Sequence, residues 1–383
     1  MSVTAPQGFR AAGVAAGLKS SGAPDVALVV NDGPDDAAAA VFTTNRFPAA
    51  PVQWTRQVVS TGRVRAVVLN SGGANACTGA EGFQDTHATA EHVAAALGLG
   101  AVDVAVCSTG LIGVRLPMDR LTAGVTAAVA GLSEDGGPHA ARAIMTTDSV
   151  PKTTVVARDG WTVGGMAKGA GMLAPSLATM LVVLTTDAVV DAATLQAALE
   201  RATAVSVERV DSDGCLSTND TVVVLANGAA GVTPGAEEVA EALTAACTDL
   251  AMQLLSDAEG STKDIAITVR GAASVEDALT AGRACARNNL LKTALFGNDP
   301  NWGRVLAAIG TTDAAFEPGR VDVTINGVTV CRGGAIGDPR EGVDLTGRAV
   351  TIDVDLGAGT EQATIWTNDL SIAYVHENSA YST

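Results

Sequence analysis

Residues 164–187 read Gly164-Gly165-Met166-Ala167-Lys168-Gly169-Ala170-Gly171-Met172-Leu173-Ala174-Pro175-Ser176-Leu177-Ala178-Thr179-Met180-Leu181-Val182-Val183-Leu184-Thr185-Thr186-Asp187. One cation sits among glycines, a proline follows, and a threonine opens an apolar run. The apolar run 180–185 reads as a strand, and 161–166 reads as a strand returning from the hairpin turn Arg158-Asp159-Gly160. An irregular loop is therefore held by a strand on each side. Gly169, Gly171 and Ala174 match the spacing Gly-x-Gly-x-x-Gly/Ala, with Asp187 downstream. That dinucleotide fingerprint needs a helix opening at the loop, and Pro175 followed by a strand removes it. A phosphate-cradling P-loop also fails, because Gly169 follows Lys168 where a Ser or Thr is required.

Outward from this loop, short Val/Leu runs at 26–31, 65–70 and 102–107 read as strands. The last two run into small-residue turns, Ser71 to Gly79 and Ser108-Thr109-Gly110-Leu111-Ile112-Gly113, as expected for a site built from loops at a sheet edge. Asp85 is expected to cap a helix to about 97, with further helices at 121–130 and 141–147. After Asp187 the pattern is helix 191–205, strand 221–226, helix 239–254, strand 265–269 and helix 274–290. Strands at 321–325 and 328–331 flank Asn326-Gly327, a type I′ hairpin turn, and strands at 350–356 and 363–367 follow. A smaller β-rich unit is expected over 290–383.

The 383 residues exceed what one core usually holds, so two or three units are expected. The apolar residues, 47% of the chain, are mostly Ala, Val and Leu, which predicts cores of small aliphatic side chains. No run reaches the roughly 18 apolar residues of a membrane span. Residues 1–19 lack the apolar centre of a signal peptide, so the cytoplasm is the expected location. A net charge of -17 opposes nucleic-acid binding, which needs clustered Lys and Arg. Cys77, Cys107, Cys215, Cys247, Cys285 and Cys331 form no Cys-x-x-Cys, so neither zinc nor a disulfide framework is expected. His87 and His92 are five apart, off the four-residue helical spacing of paired ligands, and no metal is expected.

Thr179 admits two readings. By default a threonine at the mouth of a strand is a half-buried β-former. As a nucleophile it needs a base, and no His or Asp adjoins it. Cutting the Ala178-Thr179 bond would supply one, because a free α-amine titrates at about 7.7–8.0, close to the optimum for a general base at neutral pH.

Ala167-Lys168-Gly169-Ala170-Gly171-Met172 with Ala178-Thr179-Met180-Leu181 resembles the self-cleaving ornithine acetyltransferase (glutamate N-acetyltransferase) family of arginine biosynthesis. Further matches run nearly the whole length. They include Val41 to Asn45, Asn75-Ala76-Cys77-Thr78-Gly79, Ser108-Thr109-Gly110, Met145-Thr146-Thr147-Asp148 and Ser217-Thr218-Asn219-Asp220-Thr221. Asp257-Ala258-Glu259-Gly260, Asp299 to Arg304 and Glu377-Asn378-Ser379-Ala380-Tyr381 complete the series.

The resemblance implies an α+β fold, an αββα layered sandwich of the N-terminal-threonine-nucleophile type with a smaller β-rich C-terminal domain. It implies self-cleavage into an α chain, 1–178, and a β chain whose first part is 179–289. Thr179 would be the nucleophile, with its own α-amine as base, passing acetyl from N-acetylornithine to glutamate. Thr109 and Gly110 would form the oxyanion hole. Thr146 or Thr147, Lys168, Glu259, Asn378 and Thr383 would bind substrate. No cofactor is implied, and acetyl-CoA enters only as an alternative acetyl donor. The implied assembly is α2β2, with no nucleic-acid or membrane partner. The rival reading is an amidohydrolase with the same kind of nucleophile, which would pass the acyl group to water.

Overall fold

In the computed structural model, residues 2–174 and 180–380 are described. Two sheets form its first part. Phe9–Val14, Val26–Asn31, Ala66–Asn70 and Val104–Ser108 lie side by side in that order, the last pair parallel. The second sheet runs Ala37–Phe42, Thr221–Ala226, Leu181–Thr186, Trp161–Lys168, Lys152–Arg158. Its one parallel pair, Leu181–Thr186 with Thr221–Ala226, is joined through the helix Ala192–Ala204, the kind of crossover that parallel strands require.

Strand periodicity sets the layers. Successive side chains point to opposite faces. Val182 and Leu184, with Val163, Ala167, Val222 and Val224, pack against the helices Ala192–Ala204 and Ala236–Ser256. Leu181 and Val183, with Met166, Val223 and Leu225, join the core of the first sheet. The helices Gly79–Leu97 and Met118–Ala130 cover that sheet. The order is therefore helix, sheet, sheet, helix, as expected. Small aliphatic residues dominate both cores, again as expected.

The third sheet runs Ala335–Ile336, Val328–Arg332, Asp322–Ile325, Ala349–Asp355, Asp264–Ala272, Glu361–Asn368. Together with the helices Val275–Ala286, Asn289–Phe296 and Trp302–Ile309 it encloses its own core. In this sheet Asp264–Ala272 pairs between Ala349–Asp355 and Glu361–Asn368. Asn326 and Gly327 both adopt positive φ, the type I′ geometry read from their sequence.

Three local expectations need correction. The helix expected from Asp85 begins at Gly79, and Asp85 faces inward to take Arg115 through two hydrogen bonds of 2.7 and 2.8 Å. The helix expected over 274–290 is two, because Asn288 caps a new one at Asn289 by accepting the Leu291 N–H. The edge strand Ala37–Phe42 escapes a reading based on β-propensity because four of its six residues are alanine.

Leu184 is fully buried between the second sheet and its helices. Leu184→Ala should lower unfolding free energy by about 2–5 kcal/mol, read as a lower urea midpoint.

Candidate active site

The two first sheets end in polar turns that meet. Thr109 follows the strand Val104–Ser108, is buried, and donates its N–H to Asn70 O at 3.0 Å. Gly110 lies at φ +130°, and a Cβ there would come within 2.9 Å of Gly73 N. Only glycine fits both constraints. Lys168 ends the strand Trp161–Lys168, is 2% exposed, and donates from Nζ to Thr109 Oγ1 at 3.2 Å.

Asp148 ties this cation to its surroundings. Its Oδ1 accepts from Gly169 N and from Lys152 Nζ, each at 2.7 Å, and its Oδ2 accepts from Thr146 N at 2.9 Å. Lys152 Nζ also reaches Asp257 Oδ2 at 2.5 Å. Burial opposes the charged form of Asp148, but Lys168, Lys152 and the Gly169 N–H outweigh it and hold the carboxyl below its ordinary range. Burial lowers Lys168 from the ordinary lysine range, with Asp148 pulling against it. A second cation, Lys19, donates to Met145 O at 2.6 Å and Pro24 O at 2.9 Å, next to the Thr146-Thr147 turn.

The turn 217–221 gathers the remaining loops. Asn219 Nδ2 donates to Ala74 O at 2.6 Å and Ser108 O at 2.8 Å. Thr43 Oγ1 donates to Ser217 O, and Thr43 N to Asp220 O. Asp220 accepts the Met180 N–H on Oδ1 at 3.0 Å. Glu259 is buried, donates its N–H to Ala170 O at 2.9 Å, and lays its carboxylate against Gly171, where a Cβ would come within 2.7 Å of Oε2.

The structure thus brings Thr109, Gly110 and Lys168 into one site, with Glu259 on the glycine loop that follows Lys168. Thr146 and Thr147 sit on the same turn as Asp148 with exposed side chains. Asn378 lies apart from these contacts. It is exposed on the helix Ile372–Ala380 and its amide donates to Tyr374 O at 3.1 Å within that helix. The helix starts over Gly260, whose carbonyl accepts from Ser371 Oγ. Ala178, Thr179 and Thr383 lie outside the described residues.

Sequence reasoning gave no role to Asp148, Lys152, Asp257, Asn219 or Asp220. Asp148, Asn219, Asp220 and Asp257 lie inside the quoted motifs as charged or amide residues, which was the available signal, whereas Lys152 lies in none of them. His92 meets Thr126 and His87 packs at a tilt against Trp54, both on the helical layer and not in the site. Cys107, Cys247, Cys285 and Cys331 are buried, while Cys77 and Cys215 are exposed. Among the described residues no cluster of His, Cys, Asp and Glu could hold a metal, and no helix is long and apolar enough to cross a membrane.

The ArgJ family model matches residues 10–383. The chain belongs to the ArgJ family. It is 66% identical over 382 residues to the arginine biosynthesis bifunctional protein ArgJ of Streptomyces avermitilis, covering all of both chains. It is 60% identical to that of Mycobacterium tuberculosis, covering 99% of this chain and 96% of the relative. A solved ornithine acetyltransferase from M. tuberculosis, complexed with ornithine, is 64% identical, covers 47% of this chain and 96% of its own, and superposes with a TM-score of 0.45.

Because the folded-state value of Asp148 is depressed, its stabilisation is complete above the unfolded carboxyl value and is lost as pH falls through the lower folded one. Asp148→Asn should cost about 3–5 kcal/mol at neutral pH by stripping a buried partner from Lys152. Thermal unfolding should show the gap in Tm between the two proteins closing below about pH 4.

Proposed function

We propose that the chain transfers acetyl from N-acetyl-L-ornithine to L-glutamate through an acetyl ester on Thr179, after cutting itself between Ala178 and Thr179. The observation that carries this reading is the Lys168 ammonium on the Thr109 hydroxyl, beside a glycine at φ +130°. Since Thr109 Oγ1 accepts from Lys168, its own proton is left to donate elsewhere. With the Gly110 N–H it makes a two-donor hole for an oxyanion, each donor worth roughly 2.7–4 kcal/mol.

In the precursor, Thr179 Oγ attacks the Ala178 carbonyl, the peptide nitrogen leaves as the new α-amine, and water hydrolyses the ester. In the transfer cycle the α-amine takes the Oγ proton as Oγ attacks the acetyl carbonyl, then returns it to the departing ornithine nitrogen. Glutamate then enters, its amine attacks the ester, and Oγ leaves. Lys168 and Thr146 or Thr147 serve the substrate carboxylate, and Glu259 serves the ornithine ammonium. Asn378 and Thr383 are the substrate ligands that the C-terminal tail contributes in this reading. The cycle as written uses no cofactor. Acetyl-CoA is a second donor in this reading, in line with the bifunctional name of the relatives. The two cleaved chains assemble as α2β2.

Thr179→Ala should leave an intact chain by denaturing mass spectrometry and yield no acetylglutamate; retained transfer would overturn the mechanism. Gly110→Ala should lower kcat by about 10²–10³, because a Cβ within 2.9 Å of Gly73 N at φ +130° displaces the Gly110 N–H from the oxyanion. Release of acetate from N-acetylornithine, with no acetylglutamate formed when glutamate is present, would instead identify a hydrolase.

A further inference from the structure

Lys19 is a half-buried cation that the mechanism above does not use. Its backbone belongs to a loop clamped by Asp25, which is 0% exposed. Asp25 Oδ1 accepts from Ala16 N at 2.6 Å, and its Oδ2 accepts from Leu18 N at 2.6 Å and Lys19 N at 3.0 Å. The Asp25 carbonyl takes the Ser71 N–H at 3.0 Å, and a Cβ on Gly72 would overlap the Leu18 side chain. The loop therefore lies against the Ser71 to Gly73 turn, the same turn that Gly110 approaches. From there the Lys19 side chain reaches the turn 145–148 through its bond to Met145 O.

An ammonium carries three N–H donors. Two are taken by Met145 O and Pro24 O, both uncharged acceptors. Among the described residues no carboxylate forms an ion pair with Lys19. Both neighbouring carboxylates are committed elsewhere, Asp25 to three backbone N–H groups and Asp148 to Gly169, Lys152 and Thr146. Burial disfavours the charge of Lys19, Asp25 favours it, and Lys168 is close enough to oppose it. The hydroxyls of Thr146 and Thr147, directly after Met145, are exposed and make no hydrogen bond among the described residues. Two cations and two unbonded hydroxyls around one turn, with no carboxylate of the chain left to serve Lys19, form a donor set for an incoming carboxylate.

Resting on the function proposed above, we propose that Lys19 is a specificity-determining residue for the α-carboxylate that N-acetylornithine and glutamate share. Its third N–H donates to that carboxylate beside the Thr146-Thr147 turn, adding to the contact assigned to Lys168, which spends one N–H on Thr109 Oγ1. The side chains of the two substrates end in opposite charges, so a cation that serves both acts on the part they have in common. Lys19 exchanges no proton and forms no covalent bond during transfer. It acts on binding alone, in both halves of the cycle.

The test compares Lys19→Gln and Lys19→Met with the unaltered chain by steady-state kinetics with N-acetylornithine and glutamate. Lys19→Gln keeps an N–H donor for Met145 O and Pro24 O and removes the charge, whereas Lys19→Met keeps only the stem. Both variants should raise both KM values at least about tenfold, as for a lost hydrogen bond to a charged group, with kcat within about threefold. Isoglutamine, the α-amide of glutamate, and free glutamine, its γ-amide, serve as competitive inhibitors against glutamate and tell which carboxylate is read. With the unaltered chain isoglutamine should be the weaker inhibitor, and Lys19→Gln should narrow the gap at least about fivefold. The proposal is overturned by unchanged KM values in Lys19→Gln, by a loss confined to kcat, by a rise in KM for one substrate only, or by a gap that Lys19→Gln leaves unchanged or widens. Should Lys19→Met not fold, Lys19→Gln decides on the same outcomes. An unaltered chain that makes no acetylglutamate refutes the function itself, whereas an active chain whose variants keep their KM values refutes only the role of Lys19.

Discussion

A lysine cannot sit buried at the end of a central strand without an anion, and the anion here is Asp148. Its two oxygens accept from Gly169, Lys152 and Thr146, which belong to three separate segments. Lys152 carries the same charge network on to Asp257, at the end of the helix Ala236–Ser256 and two residues before Glu259. One buried carboxylate therefore sets where the glycine loop starts, where the threonine turn sits and how the helix end approaches. The arrangement resists single changes, because removing one partner leaves a buried charge uncompensated.

The same logic explains why so many loops meet at one point. The strands Ala66–Asn70, Val104–Ser108 and Thr221–Ala226 adjoin buried turns whose backbone groups need partners. Asn219 supplies two of those partners, to Ala74 and Ser108, and Thr43 and Met180 are tied to the same turn. Gly110 lets its turn approach Gly73 to a distance that no side chain would allow.

Much of the architecture was legible in the residues. The Val/Leu runs named the central strands, Asn326-Gly327 named its turn, and Pro175 with the apolar run after Met180 ruled out a phosphate loop. The helix start at Gly79 and the split at Asn288 were not legible, because Asp85 and Asn288 are both good capping residues and only packing tells which one caps. The alanine-rich edge strand was missed for a related reason: it is a strand by virtue of its neighbour Thr221–Ala226, and its own composition carries no β preference.

For the site, the sequence by itself determined the chemistry on offer: one lysine in a glycine loop, a threonine after it, and a turn ending in Thr109-Gly110. The family follows from that order of motifs. Only the tertiary structure decided which charges are shared. Asp148 and Lys168 are twenty residues apart in sequence with a hairpin between them, and Asp220 comes to Met180 only because two strands pair in parallel through a helix. Electrostatic partnership depends on distance and burial, and neither is written in the spacing of residues along the chain.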